Sequence, residues 1–306
     1  MNGPSFLIIG AARSGTTALA RFLDQHPQAF LTDPKEPHFL SFAESPPQFA
    51  GPGDDVMMNR AVVTSPQCYA DLFAGANGAA AIGEGSVSTL YYHERSIPAI
   101  LQYAPHAKLI AILRNPIARA YSSFLYVTSR GFEPESDFAA ALDDEPRRIA
   151  ENWHHLWHYV AAGRYAAQVA AFQAAFPAEQ FRVLLFDDFR ADQGATMRQL
   201  YQFLGIDESF TPDTSSQINR SGKPKNRLIG SAANFLQRHQ LAKAAVKAVT
   251  PAAFRERMRT AALDRPAMDD TVVARLREEF REDIAALGEL LRRDLSHWLT
   301  EPVGAD

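Results

Sequence analysis

Short runs of consecutive apolar residues alternate along the chain with stretches whose apolar residues recur at helical spacing. The runs at Phe6–Ile9, Lys108–Leu113 and Phe181–Phe186 read as strands. The first two are almost continuously apolar, as parallel strands covered on both faces should be. Ala166–Phe176 keeps its apolar residues on one face and stops before Pro177, and Ala195–Leu204 stops at Gly205, so both are predicted helices. Strands alternating with helices predict an α/β fold, an open parallel sheet flanked by helices. Ala43–Pro66, with its Ser-Pro-Pro and Gly-Pro-Gly, predicts a long surface excursion, and the polar Thr211–Asn226 a functional loop. From Arg227 the pattern is helical to the end, with breaks at Pro251 and Pro266. No repeat or low-complexity block divides the chain, so residues 1–306 are expected to form one domain, 227–306 being its helical C-terminal part.

The most informative turn is the first. Gly10-Ala11-Ala12-Arg13-Ser14-Gly15-Thr16-Thr17 joins the Phe6–Ile9 run to the helix-like Ala18–Leu23. A strand, a glycine-bearing turn and a helix start make an anion cradle, where backbone N–H groups converge and the helix dipole adds positive potential. Gly10 and Gly15 have the spacing of a P-loop, but Thr16 stands where a nucleotide-hydrolysing loop needs Lys. The cation is Arg13, inside the loop. The expected fold is that of a P-loop nucleotide kinase without its loop lysine, and the expected donor is a phosphorylated group other than ATP.

Composition narrows what such a cradle serves. The chain is 46% hydrophobic and 22% charged, the balance of a globular protein with a sizeable core. With 31 Lys and Arg against 35 Asp and Glu the net charge is −4, which argues against broad nucleic-acid or anionic-membrane binding. Anion recognition must be local. No stretch is apolar enough for a membrane span and no N-terminal targeting segment stands out. The lone Cys68 cannot form an intrachain disulfide and reads as a small buried residue; a cytoplasmic location is expected.

Three further segments carry chemistry. Lys35-Glu36-Pro37-His38-Phe39 lies just beyond the first helix. Leu113-Arg114-Asn115-Pro116-Ile117-Ala118-Arg119-Ala120-Tyr121-Ser122 runs from a strand end into a helix. Asn219-Arg220-Ser221-Gly222-Lys223-Pro224-Lys225 falls in the polar loop. Together with the Gly10–Thr17 loop, these segments resemble the sulfotransferases that use 3′-phosphoadenosine 5′-phosphosulfate (PAPS). The chain looks most like bacterial members related to the heparan-type carbohydrate enzymes. The closing Asp294-Leu295-Ser296-His297-Trp298 is similar to the end of those chains, so the resemblance covers nearly the whole sequence.

The resemblance implies a sulfotransferase fold and transfer of a sulfuryl group from PAPS to a hydroxyl acceptor, with release of adenosine 3′,5′-bisphosphate (PAP). The acceptor classes left open are sugars, lipids and small secondary metabolites. Arg13, Ser14, Gly15, Thr16 and Thr17 would wrap the 5′ group, and Arg13 would offset charge on the departing phosphate. Pro116 at a helix start would let the helix N-terminus and Arg114 face one anion, and by resemblance Arg114 and Ser122 hold the 3′-phosphate. Ser221, Gly222 and Lys223 would close over it, and Phe186 would pack on the adenine. By resemblance Glu36 is the base, His38 a second base or an orienting partner, and Lys35 steadies the sulfate. No metal is required, because Arg13, Lys35 and backbone dipoles meet the donor's charge. The chain departs from the family at Arg13, where many members have Lys, at Phe186, where Tyr is frequent, and at Gly85, where the carbohydrate enzymes carry a second Lys.

Other features have plainer readings. His154 and His158 could share a helix face as in zinc sites, but no Glu stands between them and no Cys follows. With Trp153, Trp157 and Tyr159 interleaved, His154, His155 and His158 read as an acceptor-facing aromatic surface or as packing. Asp143-Asp144-Glu145 reads as a solvated loop, and Arg119 as a helix-start salt-bridge partner. Two other functions compete: a P-loop kinase of a small metabolite, which would need Mg²⁺ and a loop lysine, and a non-catalytic PAP-binding module.

Overall fold

The computed structural model describes residues 3–214, 223–224, 263–264 and 266–303. At its centre are β1 (Phe6–Gly10), β2 (Ala29–Leu31), β3 (Ala81–Glu84), β4 (Lys108–Leu113) and β5 (Phe181–Leu185), in the order β2-β3-β1-β4-β5. Every neighbouring pair is parallel, with Phe6 opposite both Gly83 and Lys108 and Leu109 opposite Phe181. The three strands read from the sequence form as expected. The two that the sequence hides are β2, only three residues long, and β3, whose Ala-Ile-Gly-Glu has little apolar character.

Helices fill the connections: α1 (Thr16–Asp24), α2 (Phe39–Phe42), α3 (Pro66–Asp71), α4 (Ser88–Tyr91), α5 (His93–Tyr103) and α6 (Pro116–Ser129). After them come α7 (Phe138–Asp143), α8 (Glu145–Ala150), α9 (Tyr165–Ala175), α10 (Phe186–Ala191), α11 (Gln193–Leu204) and α12 (Asp270–Leu291). Strand side chains alternate between two apolar layers, as the period of two demands. Phe6, Ile8, Ile110 and Ile112 point into a layer completed by Leu19, Phe22 and Leu23 of α1 and Met197, Leu200 and Tyr201 of α11. Leu7, Ile9, Leu109, Ala111 and Leu113 point into the larger opposite layer, with Ile100, Phe124, Phe172 and Phe280 from α5, α6, α9 and α12. Each fully buried large aliphatic side chain contributes about 1.5–3 kcal/mol, so cover on both faces holds the sheet.

The C-terminal part is not helical throughout. Leu263–Asp264, inside the stretch read as helix, forms a short antiparallel bridge with Lys223–Pro224 of the polar loop. The rest of the helical reading between residues 227 and 262 lies outside the described residues. Among the described residues, no helix is long and apolar enough to cross a membrane.

Three readings of burial need correction. Ala43–Pro66 is not simply an excursion, because Asp54 is fully buried within it. Asp54 accepts hydrogen bonds from the Gly51 and His154 N–H groups and from Trp157 Nε1 (2.9 Å), tying the segment to the core. Asp143-Asp144-Glu145 is not a solvated loop: Asp143 ends α7, Glu145 begins α8, and the buried Glu145 carboxylate accepts from the N–H groups of Val160 and Ala161. Cys68 is exposed on α3 rather than buried.

At the carboxyl end of β3, Glu84 is fully buried. Its Oε2 accepts the Ser86 N–H at 2.7 Å, whereas Oε1 has no hydrogen-bond partner among the described residues. Burial pushes this carboxyl from an ordinary 4.5 up to about 7, against the pull of the Ser86 hydrogen bond. Below about pH 4.5 the group is protonated whether the chain is folded or not. Between there and about pH 7 only the unfolded form ionises, so stability is lost across that window and the loss is constant above it. The unfolding free energy of Glu84→Gln should therefore gain about 3 kcal/mol on the wild type across that window. Denaturant titrations at several pH values check this, and a pH-independent difference would mean that Glu84 ionises normally.

Candidate active site

Three of the four sequence motifs, and Phe186, follow the carboxyl end of a parallel strand. The Gly10–Thr17 loop leaves β1, Lys35–His38 follows β2, Arg114 follows β4 and Phe186 follows β5. In an open α/β sheet that edge is where ligands bind, close to where the strand order changes direction. Here the chain steps from β1 out to β2, back to β3 and then across to β4, so β1 sits at the change of direction.

The loop after β1 has the backbone of an anion nest. Arg13 (φ 68°) and Gly15 (φ 96°) are left-handed and Ser14 lies between them. Gly15 is required twice, by its φ and because a Cβ there would come within 2.8 Å of Phe186 Cδ2. No side chain caps α1, and among the described residues no carbonyl accepts the N–H groups of Gly15, Thr16 or Thr17. Ser14 is fully buried and its Oγ also lacks a partner among the described residues. Thr16 is buried and Thr17 exposed at the helix start. Open donors at an uncapped helix start fit a phosphate or phosphosulfate group. The Arg13 guanidinium lies 4.4 Å from the centre of the Tyr126 ring, a platform the sequence did not reveal.

Lys35, Glu36 and His38 are held against this loop by the end of β3. Beyond β2 the chain stays docked, with Thr32 N–H donating to Gly83 O and Gly85 N–H donating to Lys35 O. A Cβ at Gly85 would lie 2.8 Å from Lys35 Cε, so the Lys35 stem occupies the space a side chain at position 85 would fill. Lys35 Nζ then donates to Glu36 Oε1 at 2.7 Å, and His38 Nε2 stands 3.7 Å from Glu36 Oε2. Burial raises the Glu36 carboxyl, but Lys35, His38 and Arg13 outweigh it and hold the group below its ordinary value. His38 is buried and left-handed (φ 55°), and its N–H donates to Ser86 Oγ at 2.8 Å. Burial pulls its imidazole down to about 4, partly opposed by Glu36, so it is neutral at pH 7. A carboxylate with two flanking nitrogens, partly open to solvent, can take a proton from a bound hydroxyl.

At the far side, Arg114 is buried, lies 5.0 Å over the Phe186 ring and donates through Nη1 to Arg13 O. Burial lowers its guanidinium to about 10, still charged at neutral pH. Phe186 is therefore wedged between Gly15 and Arg114. Ser122 lies buried two turns into α6. The α6 N-terminus does not serve the anion as expected: Asn115 Oδ1 caps it, accepting from the N–H groups of Ile117 (2.9 Å) and Ala118. The Lys223–Pro224 strand lies beside α6, whereas Ser221 and Gly222, read as part of the phosphate site, lie outside the described residues.

Two other expectations change. Arg119 is not a salt-bridge partner but a buried guanidinium donating to Tyr159 O, with Nε and Nη1 unpartnered among the described residues. The shared helix face for His154 and His158 does not form, since His155–Trp157 is a short 3-10 turn. His154 Nδ1 sits 2.8 Å from Asp54, His158 Nδ1 pairs with Tyr91 OH at 2.7 Å, and His155 is buried beside Tyr92. Among the described residues, no three His, Cys, Asp or Glu side chains form a group able to hold a metal. Glu84, Tyr126 and Asp54 were missed because single polar or aromatic residues outside a motif carry no signal of where the fold will bring them.

Known proteins resemble this chain in sequence and fold. A family model described as "Sulfotransferase family" matches residues 4–212. Carbohydrate sulfotransferase 15 of Mus musculus is 26% identical over 281 residues, covering 74% of this chain and 49% of that protein. Bifunctional heparan sulfate N-deacetylase/N-sulfotransferase 3 of Homo sapiens is 27% identical over 236 residues, covering 72% of this chain and 26% of that protein. The chain thus spans about half or less of the length of these curated relatives. The crystal structure of a sulfotransferase from Alicyclobacillus acidocaldarius superposes with a TM-score of 0.77 at 32% identity, covering 97% of this chain and 99% of that one. A family match over more than half of the chain, on a fold shared along its length with a bacterial relative, makes this protein a member of the sulfotransferase family.

Proposed function

We propose that the protein transfers a sulfuryl group from PAPS to a hydroxyl of a carbohydrate acceptor and releases PAP. The observation that carries this reading is one edge of one sheet holding both a P-loop without its lysine and a carboxylate flanked by Lys35 and His38. The family of the chain supports PAPS as donor, and the names of its relatives support a carbohydrate rather than a lipid or small metabolite.

The residues divide the work by charge. The open N–H groups of Gly15, Thr16 and Thr17, with the Ser14, Thr16 and Thr17 hydroxyls, would hold the 5′ end of the donor. Arg114 and Ser122 would hold the 3′-phosphate, Ser221, Gly222 and Lys223 would close over it as the resemblance implies, and Phe186 would carry the adenine. The donor supplies the sulfuryl group. As the acceptor oxygen bonds to sulfur and the bond from sulfur to the 5′-phosphate oxygen breaks, Glu36 takes the hydroxyl proton. Arg13 and Lys35 meet the negative charge that builds on the departing phosphate and the sulfuryl oxygens.

Glu36→Gln keeps shape and removes the base. It should lower kcat by roughly 10²- to 10⁴-fold and leave calorimetric PAP affinity unchanged; a rate near that of the wild type would remove Glu36 from the role. Arg114→Ala should raise the KM for PAPS roughly 10- to 100-fold through loss of a charge-assisted contact. Steady-state kinetics with varied PAPS check this, and an unchanged KM would place the 3′-phosphate elsewhere.

A further inference from the structure

Behind His38 runs a buried chain of hydroxyl groups. His38 Nδ1 is 2.8 Å from Ser88 Oγ, Ser88 Oγ is 2.9 Å from Ser41 Oγ, and Ser41 Oγ is 3.3 Å from Ser96 Oγ. The three serines come from α4, α2 and α5, and none is more than 2% exposed. Phe39, Leu40, Leu90 and Ile100, their neighbours along these helices, are apolar and buried. Hydroxyls from three helices meeting in such a layer are costly unless each has a partner, and here each partner is the next hydroxyl or the imidazole.

The direction of the chain follows from the other side of the ring. His38 Nε2 faces Glu36 Oε2 at 3.7 Å, and the other Glu36 oxygen is taken by Lys35. A neutral imidazole has one proton to place. On Nδ1, it would leave the Nε2 lone pair facing a carboxylate. On Nε2, it points at that carboxylate, and Nδ1 then accepts from Ser88, Ser88 from Ser41, and Ser41 from Ser96. The hydroxyl links can run in either direction, so they are satisfied in both arrangements; the second adds attraction to the Glu36 carboxylate where the first adds repulsion. The backbone fixes where the ring sits: His38 N–H donates to Ser86 Oγ, and Ser86 N–H to Glu84 Oε2.

We propose that Ser88, backed by Ser41 and Ser96, is a positioning residue that fixes His38 as the Nε2–H tautomer, making His38 a hydrogen-bond donor beside Glu36 and leaving proton acceptance to Glu36. The proposal rests on the reading of Glu36 as the base. It divides the roles of Glu36 and His38, which the motif alone leaves open. It also gives Ser88, outside every motif of the sequence, a part in the reaction through His38.

Long-range ¹H–¹⁵N correlation spectra of the full chain with ¹⁵N-labelled histidine, with and without PAP, test it; comparison with His38→Gln identifies the His38 signals. In the wild type, Nε2 should carry the proton and Nδ1 should show the shift of a bare nitrogen that accepts a hydrogen bond. Ser88→Ala should move the Nδ1 resonance towards that of a non-bonded nitrogen. It should also lower kcat on the order of tenfold, the effect of one lost hydrogen bond on the barrier, with the KM for PAPS unchanged. Ser41→Ala should move the same resonance in the same direction by less. A proton on Nδ1 in the wild type overturns the proposal whether or not any variant folds, as does a folded Ser88→Ala protein with unchanged His38 shifts. Full activity in Glu36→Gln would instead sink the base assignment and leave the tautomer result standing, so the two failures are distinct.

Discussion

The parallel pairing of β1 with β3 on one side and β4 on the other is the constraint on which the site depends. Parallel strands all release their chains at the same edge, so the anion loop, Glu84, Gly85 and Arg114 emerge side by side although they are far apart in sequence. The pairing is held by apolar layers on both faces, each built from alternate residues of the same strands. A one-residue slip of β4 would exchange its two faces and carry Arg114 away from Phe186 and the loop. Rigidity at the strand ends lets short loops hold charged groups at hydrogen-bond distances.

Within that frame the site is a local arrangement of charge in a chain whose net charge is negative. Arg13, Lys35 and Arg114 concentrate positive charge where backbone N–H groups already point. Glu36 stays ionised because Lys35 and Arg13 offset its burial, whereas Glu84, nearby but fully buried, keeps its proton up to about pH 7. Two carboxyls at one sheet edge thus hold different charge because one has cations beside it and the other has chiefly apolar burial. The same edge has one lysine stem where two side chains could compete, because Gly85 leaves its space to Lys35.

Much of this was legible in the sequence where chemistry and period coincide. Phe6–Ile9 followed by Gly10–Thr17 announced strand, nest and helix, and Lys108–Leu113 followed by Arg114 announced the second anchor. What stayed hidden depends on contacts between distant segments. β2 and β3 are short or weakly apolar and become strands only because β1 pairs with one and that one with the other. Ala43–Pro66 looked like a surface excursion until Trp157 and His154 closed on Asp54 within it, and Glu145 like surface charge until Val160 and Ala161 presented their N–H groups. The start of α6 looked like an anion site because Pro116 marked it, while the Asn115 side chain, one residue earlier, caps it. Ser88, Ser41 and Ser96 give no pattern at all, since their meeting depends on how three helices pack.

The donor site is the part of the proposal on which the rest stands, and calorimetry of PAP and, separately, of ATP with Mg²⁺ tests it without knowledge of the acceptor. Micromolar PAP binding that needs no metal, with far weaker binding of ATP, is the expected result for a loop that carries Arg13 and lacks the P-loop lysine. Tight Mg²⁺-dependent ATP binding with no response to PAP would contradict it and return the chain to nucleotide-kinase chemistry.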